Sequence, residues 1–285
     1  MLRTPRCAPD LDGLASRIAA RGIAIGRPLT ILDETPSTND MAKREAKSGA
    51  PHGATWLAEV QTSGRGRQGR AWLAARGESI LVSVVLRVAC APARLPPLAL
   101  VAGLAARDAV EAALHGASVG LKWPNDVVID GRKVAGVLVE AQLAGHAVEA
   151  VVVGVGINIH ARSFPDAIAD RATSVALHAE APPDRGAILV DLLEGLDRDI
   201  AIAAARGLGV VHARIAAADA LRGTRVRGEP GEGTAEGIDV DGRLCVRDDQ
   251  GVLHRWSSGE VHLVPATASP PAKSPRGQSR SHSPE

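Results

Sequence analysis

Gly64-Arg65-Gly66-Arg67-Gln68-Gly69-Arg70 decides how this chain is read. The run scans as G-x-G-x-x-G, the spacing of a dinucleotide-binding loop. That fingerprint needs a helix directly after the glycines, its N-terminus aimed at a pyrophosphate, and an acidic residue about 20 positions on. Here Ala71-Trp72-Leu73 and Gly77 follow, and then the β-branched run Ser79 to Val88. The helix is missing, and the doubly wound fold goes with it. What remains is a loop of three glycines and three arginines. Glycine admits close approach to main-chain N–H groups. The arginine fork matches carboxylate or phosphate oxygens. The loop reads as a wrap around a small anion.

Outward from the loop, Thr55 to Val60 is a strand that enters it, and Pro28 to Asp33 an earlier strand. Between them Thr35-Pro36-Ser37-Thr38-Asn39-Asp40 supplies turn and capping residues before a helix at Met41 to Lys47. Ser79 to Val88 reads as a central strand. Pro96-Pro97 starts an Ala-rich helix to Leu114. Val127 to Ile129, Asp130-Gly131 and Val134 to Glu140 form a hairpin with a D-G turn. Glu149 to Ile157 is a further buried strand, and helical patterns follow at Asp184 to Ala205 and Val210 to Leu221. Strands outnumber crossover helices. The class is therefore α/β (α+β), a mixed central β-sheet flanked by helices. From Gly223 short alternating strands appear at Thr224 to Arg227, Thr234 to Val240, Leu244 to Arg247 and Val252 to Trp256, which read as a small C-terminal SH3-like β-barrel.

Composition bounds the function. Apolar residues are 45% of the 285, aromatics only 2%, with no Tyr and one Phe, so the core is Val, Leu, Ile and Ala. A net charge of +1 gives no electrostatic case for nucleic-acid binding. Cys7, Cys90 and Cys245 form neither a C-x-x-C nor an even framework, and the histidines lack metal spacing, so no metal ligands are assigned. No signal peptide or 18-residue apolar run is present. The expectation is a cytoplasmic chain with no membrane partner. Lysine is scarce, which singles out Lys122 and Lys133 inside motif-rich sequence.

Ser37-Thr38-Asn39, Gln61 with the glycine-arginine loop, Lys122-Trp123-Pro124-Asn125-Asp126, Gly131-Arg132-Lys133-Val134-Ala135-Gly136 and Gly154-Val155-Gly156-Ile157-Asn158 follow one another in the order and spacing of the biotin–protein ligases, which this chain resembles. The resemblance spans residues 28 to 265 and includes Ser258-Gly259-Glu260-Val261 near the end. It is to the short class, without an N-terminal DNA-binding domain. The expected division is an N-terminal extension (1–27), a catalytic domain (28–221), the small β-barrel (222–265) and a tail (266–285) whose Pro, Ser and Arg, with almost no large apolar residue, read as disordered.

The resemblance also implies a two-step activity. Biotin and ATP give biotinyl-5′-AMP with Mg²⁺ as cofactor, and the biotinyl group then passes to a lysine of a biotin carboxyl carrier domain. The molecule is expected to be a monomer or homodimer. By resemblance, Ser37, Thr38 and Asn39 bind the ureido ring. Gln61, Arg65, Gly66 and Arg67 line the side chain and acyl-phosphate. Lys133 bridges carboxylate and α-phosphate. Lys122, Asn125 and Asp126 face the phosphates or the incoming lysine, with Asp126 orienting Mg²⁺ or accepting a proton. Arg70, Trp72 and Asn158 belong to the nucleotide side. The catalytic set is Lys133, Arg67 and Asp126. A lipoate or octanoate ligase or transferase of the same superfamily, or a non-enzymatic biotin sensor, is the alternative.

Overall fold

The computed structural model describes residues 9–264 apart from His115 and His146. The tail read as disordered and Cys7 lie outside the described residues. Seven strands build the main sheet: β1 (Leu29–Leu32), β2 (Thr55–Ala58), β3 (Ser79–Leu86), β4 (Val119–Lys122), β5 (Asp126–Ile129), β6 (Arg132–Ala144) and β7 (Ala147–Asn158). Their spatial order is β1-β2-β3-β7-β6-β5-β4. Only β1 and β2 run parallel; every other neighbouring pair is antiparallel. The sheet is mixed, as the shortage of crossover helices requires. β3 is buried along its whole length, which explains its unbroken apolar run. The β5–β6 turn has φ 50° at Asp130 and φ 74° at Gly131, the left-handed pair that a two-residue hairpin needs.

Among the described residues five α-helices pack around the sheet: α1 (Leu14–Ala20), α2 (Thr38–Lys47), α3 (Leu98–Ala112), α4 (Arg185–Arg206) and α5 (His212–Ala218). Asp184 caps α4 by accepting the Ala187 N–H at 2.9 Å. α3 and α4 lie close because Gly195 faces Ala105, where an added Cβ would sit 2.9 Å from the Ala105 methyl. α2 covers β2, β3 and β7 through a smaller apolar group that includes Ala42, Ala46, Trp56 and Val152.

The first helix starts at Leu14, after Gly13 with φ 66°. The segment before Pro28, read as an extension, is packed into the main core by Leu11, Leu14, Ile18, Ile23 and Ile25. Asp10 in that segment accepts from buried Arg185 at 2.7 and 3.0 Å, and Arg185 also donates to Glu59 at 3.0 and 3.2 Å. Glu59 directly follows β2, so this ion cluster anchors the strand from which the glycine-arginine loop departs.

The C-terminal unit holds β8 (Arg225–Gly228), β9 (Gly231–Ile238), β10 (Leu244–Arg247), β11 (Leu253–Trp256) and β12 (His262–Leu263) in one antiparallel sheet, ordered β11-β10-β9-β8-β12. Val226, Ala235, Leu244, Val246 and Trp256 fill its interior. It is tied to the main domain where Trp123 Nε1 donates to the Gly242 carbonyl at 2.9 Å.

Candidate active site

The glycine-arginine run folds as a tight hairpin between β2 and β3. Gly66 N–H donates to the Arg70 carbonyl at 2.7 Å, and Trp72 N–H to the Gly64 carbonyl at 2.9 Å. Gln68 and Gly69 take φ 55° and 73° at its tip. At Gly64 a Cβ would come within 2.6 Å of the Trp72 carbonyl, so the hairpin demands glycine there. No helix begins after the run.

This hairpin roofs a cavity of about 570 Å³, and every residue singled out from the sequence for binding or chemistry lines it. Two glycines of the opposite strand keep it open. A Cβ on Gly156 would lie 2.6 Å from the Trp72 ring, and one on Gly154 would overlap the Asn39 amide.

One end is uncharged and polar. Ser37 caps α2 by accepting the Asp40 N–H at 3.4 Å, which presents Thr38 and Asn39 on the first turn. Gln61 Oε1 accepts from Thr38 N at 2.7 Å and from Thr38 Oγ1 at 3.0 Å. Beneath them Ser83 Oγ of β3 lies 2.6 Å from Asn39 Oδ1 and 2.8 Å from Thr38 Oγ1.

The other end is cationic. Lys133 Nζ lies 2.6 Å from Asp126 Oδ1, an ion pair without a hydrogen bond's direction, and 5.5 Å from the centre of the Trp72 ring. Lys133 is aimed by its backbone: its N–H donates to the Arg171 carbonyl and its carbonyl accepts from Thr173, at 2.8 and 2.9 Å. Arg67 donates to Asn125 Oδ1 at 3.0 Å, while Asn125 Nδ2 donates to the Val137 carbonyl at 2.7 Å. Burial lowers the affinity of Arg67 for its proton, with Asp126 acting in the opposite sense. Burial likewise pushes the Lys122 ammonium below the usual lysine range, against the pull of Asp126 and Glu260. Arg70 grips Glu260 with two bonds of 2.6 and 2.8 Å. Burial would raise the Glu260 carboxyl, but this grip outweighs it and leaves it below the ordinary glutamate range. The arrangement suits an uncharged polar ring at one end and a cluster of phosphate oxygens at the other.

Residues 31–158 match the biotin/lipoate A/B protein ligase family, and residues 222–264 match the biotin protein ligase C terminal domain. The biotin--[acetyl-CoA-carboxylase] ligase of Mycobacterium tuberculosis is 39% identical over 269 residues, covering 90% of this chain and 98% of that protein. This chain belongs to the biotin protein ligase family. The bifunctional ligase/repressor BirA of Bacillus spizizenii is 31% identical over 248 residues, covering 85% of this chain and 76% of its own. Among solved structures, the biotin protein ligase from Aquifex aeolicus in complex with biotin and ATP aligns with TM-score 0.70 at 29% identity, covering 83% of this chain and 98% of that one.

Two of these cavity-lining side chains also have protein partners. Arg65 forms an ion pair with Asp40 on α2. Asn158 Nδ2 donates to the Thr173 carbonyl at 3.0 Å and so also braces the cavity wall. Ser83, Asp40, Glu140 and Arg171 went unassigned in the sequence. Ser83 carried a signal, as a lone hydroxyl inside an apolar strand. Arg171 carried none, because the segment that brings it to the cavity has no motif.

Proposed function

We propose that the cavity activates biotin with ATP and passes it to a lysine on the carrier domain of a biotin-dependent carboxylase, of the acetyl-CoA carboxylase type. In the first step a biotin carboxylate oxygen bonds to the α-phosphorus. The bond to the bridging oxygen of the β-phosphate breaks, and pyrophosphate leaves. In the second the lysine amine bonds to the biotinyl carbonyl carbon, AMP departs, and the amine gives up a proton. The observation that carries this reading is the pairing of a neutral polar floor with a cationic end in one cavity.

Bringing a carboxylate to a polyphosphate requires cations at the reacting centre. Lys133, already beside Asp126, takes the position between carboxylate and α-phosphate. Arg67 and Lys122 face the phosphates. Arg65 and the main chain of Gly66 close over the acyl-phosphate and exclude the water that would hydrolyse it. Arg70, Trp72, Asn125 and Asn158 hold the nucleotide side. The Asp126 carboxylate, once Lys133 turns to substrate, takes the proton from the attacking amine.

Among the described residues no group of three His, Cys, Asp or Glu is arranged for a metal. Asp126 Oδ1, buried and without a hydrogen-bond partner, would supply the one carboxylate that Mg²⁺ takes beside substrate phosphates. The ion would neutralise phosphate charge.

Biotin-dependent exchange of labelled pyrophosphate into ATP tests the first step, and labelling of a carrier domain the second. Exchange driven by lipoate or octanoate and not by biotin would overturn the assignment.

A further inference from the structure

Asn39 sits on a gap in the sheet. Ser83 of β3, Gly154 of β7 and Leu138 of β6 lie in register across three adjacent strands. The central residue has no side chain, and the Asn39 amide occupies that space. On one side its Oδ1 meets Ser83 Oγ at 2.6 Å. On the other its Nδ2 donates to Glu140 Oε2 at 2.8 Å. Glu140 is two residues beyond Leu138 and so on the same face of β6. Its second oxygen accepts from Lys43 Nζ at 2.6 Å, and Lys43 also pairs with Asp40 at 3.2 Å. Ser83, Thr38 and Asn39 are all buried.

Proton counting gives these contacts a direction. A carboxylate only accepts, so the NH₂ end of Asn39 must face Glu140 and the carbonyl must face Ser83. The Ser83 hydroxyl has one proton, and Asn39 Oδ1 can only accept it. At its 2.8 Å contact with Thr38 the Ser83 oxygen can then only accept, and the single Thr38 proton is spent within the protein, on Ser83 Oγ or on Gln61 Oε1. Thr38 Oγ1 is left with a lone pair toward the cavity. Gln61, whose Oε1 is held by the Thr38 N–H, is left with its NH₂ unspent. From these contacts we infer that Glu140, which touches no substrate, is a positioning and specificity-determining residue. It orients the chain Asn39–Ser83–Thr38 so that the floor offers a hydrogen-bond acceptor to a ring N–H.

The inference rests on the reading of this cavity as the biotin site, and it adds a group that selects the urea ring by its N–H. Replacing Glu140 by glutamine supplies an NH₂ as well as a carbonyl. The Asn39 amide then has two permitted orientations and the chain loses its fixed direction. A buried hydrogen bond made in only part of the population weakens binding by about tenfold.

The test uses the full chain and pyrophosphate–ATP exchange. Two ligands are compared: biotin and an isosteric cyclic carbamate in which one ring N–H is replaced by oxygen. Glu140→Gln is expected to raise the KM for biotin about tenfold, to leave kcat and the KM for ATP within about twofold, and to reduce the preference for biotin over the carbamate. Ser83→Ala breaks the same chain from its middle and is expected to reduce that preference too. A merely structural role would not move the ratio. Exchange in the parent chain with KM and preference unchanged in both variants overturns the inference alone. No biotin-dependent exchange in the parent overturns the reading of the cavity, and the inference with it.

Discussion

At the residue scale the cations of the cavity sit in contrasting surroundings. Lys133 has Asp126 and an aromatic face for company, and the phosphate it is proposed to meet would compete with both. Lys133→Met is expected to lower kcat/KM for adenylation by about 100-fold or more, with the melting temperature little changed. Equal adenylation rates would remove Lys133 from the mechanism. Lys122 makes the complementary case. Its charge is penalised by burial in the free protein, so Lys122→Met is expected to raise the melting temperature while reducing the further rise caused by ATP. Thermal melts with and without nucleotide measure both. Gly156 is a third case, where a methyl would strike the Trp72 ring. Gly156→Ala is expected to cost about 1–3 kcal/mol, as overpacking does, and to displace the ring from Lys133. Denaturant titration measures the first effect and tryptophan fluorescence the second.

At the scale of elements, α2 serves two purposes with one turn. Ser37 caps the helix and fixes the positions of Thr38 and Asn39 above β3. Asp40, in the same turn, holds Arg65 of the glycine-arginine hairpin. Helix and hairpin are thus joined by charge at the cavity. Removing that tie is expected to let the hairpin open more often. Asp40→Asn is therefore predicted to release biotinyl-5′-AMP faster while leaving stability within about 0.5 kcal/mol, since the pair is exposed. A trap for released intermediate, such as labelling of a non-cognate lysine, reads this out. Labelling no greater than with the parent would show that the tie does not govern closure.

At the scale of the whole molecule, the buried cluster of Asp10, Arg185 and Glu59 links the N-terminal segment, β2 and α4. The hydrogen bonds from Arg185 hold the Asp10 carboxyl below its ordinary range, against the opposing effect of burial. The sign follows. A carboxyl depressed in the folded state contributes stability that is fully present above its unfolded value, about 3.9. That contribution is lost as the pH falls through the lower folded value. The melting temperature is therefore expected to drop steeply below about pH 4, and Asp10→Asn to flatten that limb while lowering the plateau at neutral pH. A parent and variant with the same acid limb would assign the acid sensitivity elsewhere.

The same three scales separate what was legible in the chain from what was not. The D-G turn, the capping segment before α2 and the continuous run at β3 are local signals, and they appear as read. So does the absence of a helix after the glycines, which excluded one fold and directed attention to the motifs that belong to another. Local signals do not report distance. Leu11, Leu14 and Ile18 form an amphipathic pattern that looks the same on an appendage as on a helix packed into the main core, and only their contacts with the rest of the core distinguish the two.

By itself, then, the sequence determined the fold class, the family motifs and the motif side chains that gather in the cavity. Those properties rest on period, turn chemistry and motif spacing, which short stretches of chain carry. The tertiary structure alone decided how the side chains are paired. It set Lys133 on Asp126, Arg65 on Asp40 and Arg70 on Glu260, and it placed the Asn39 amide in the gap above Gly154 with Glu140 behind it. Those pairings join residues up to 190 positions apart. They depend on strand order and on space left by glycines across the sheet, and neither is encoded in any single segment.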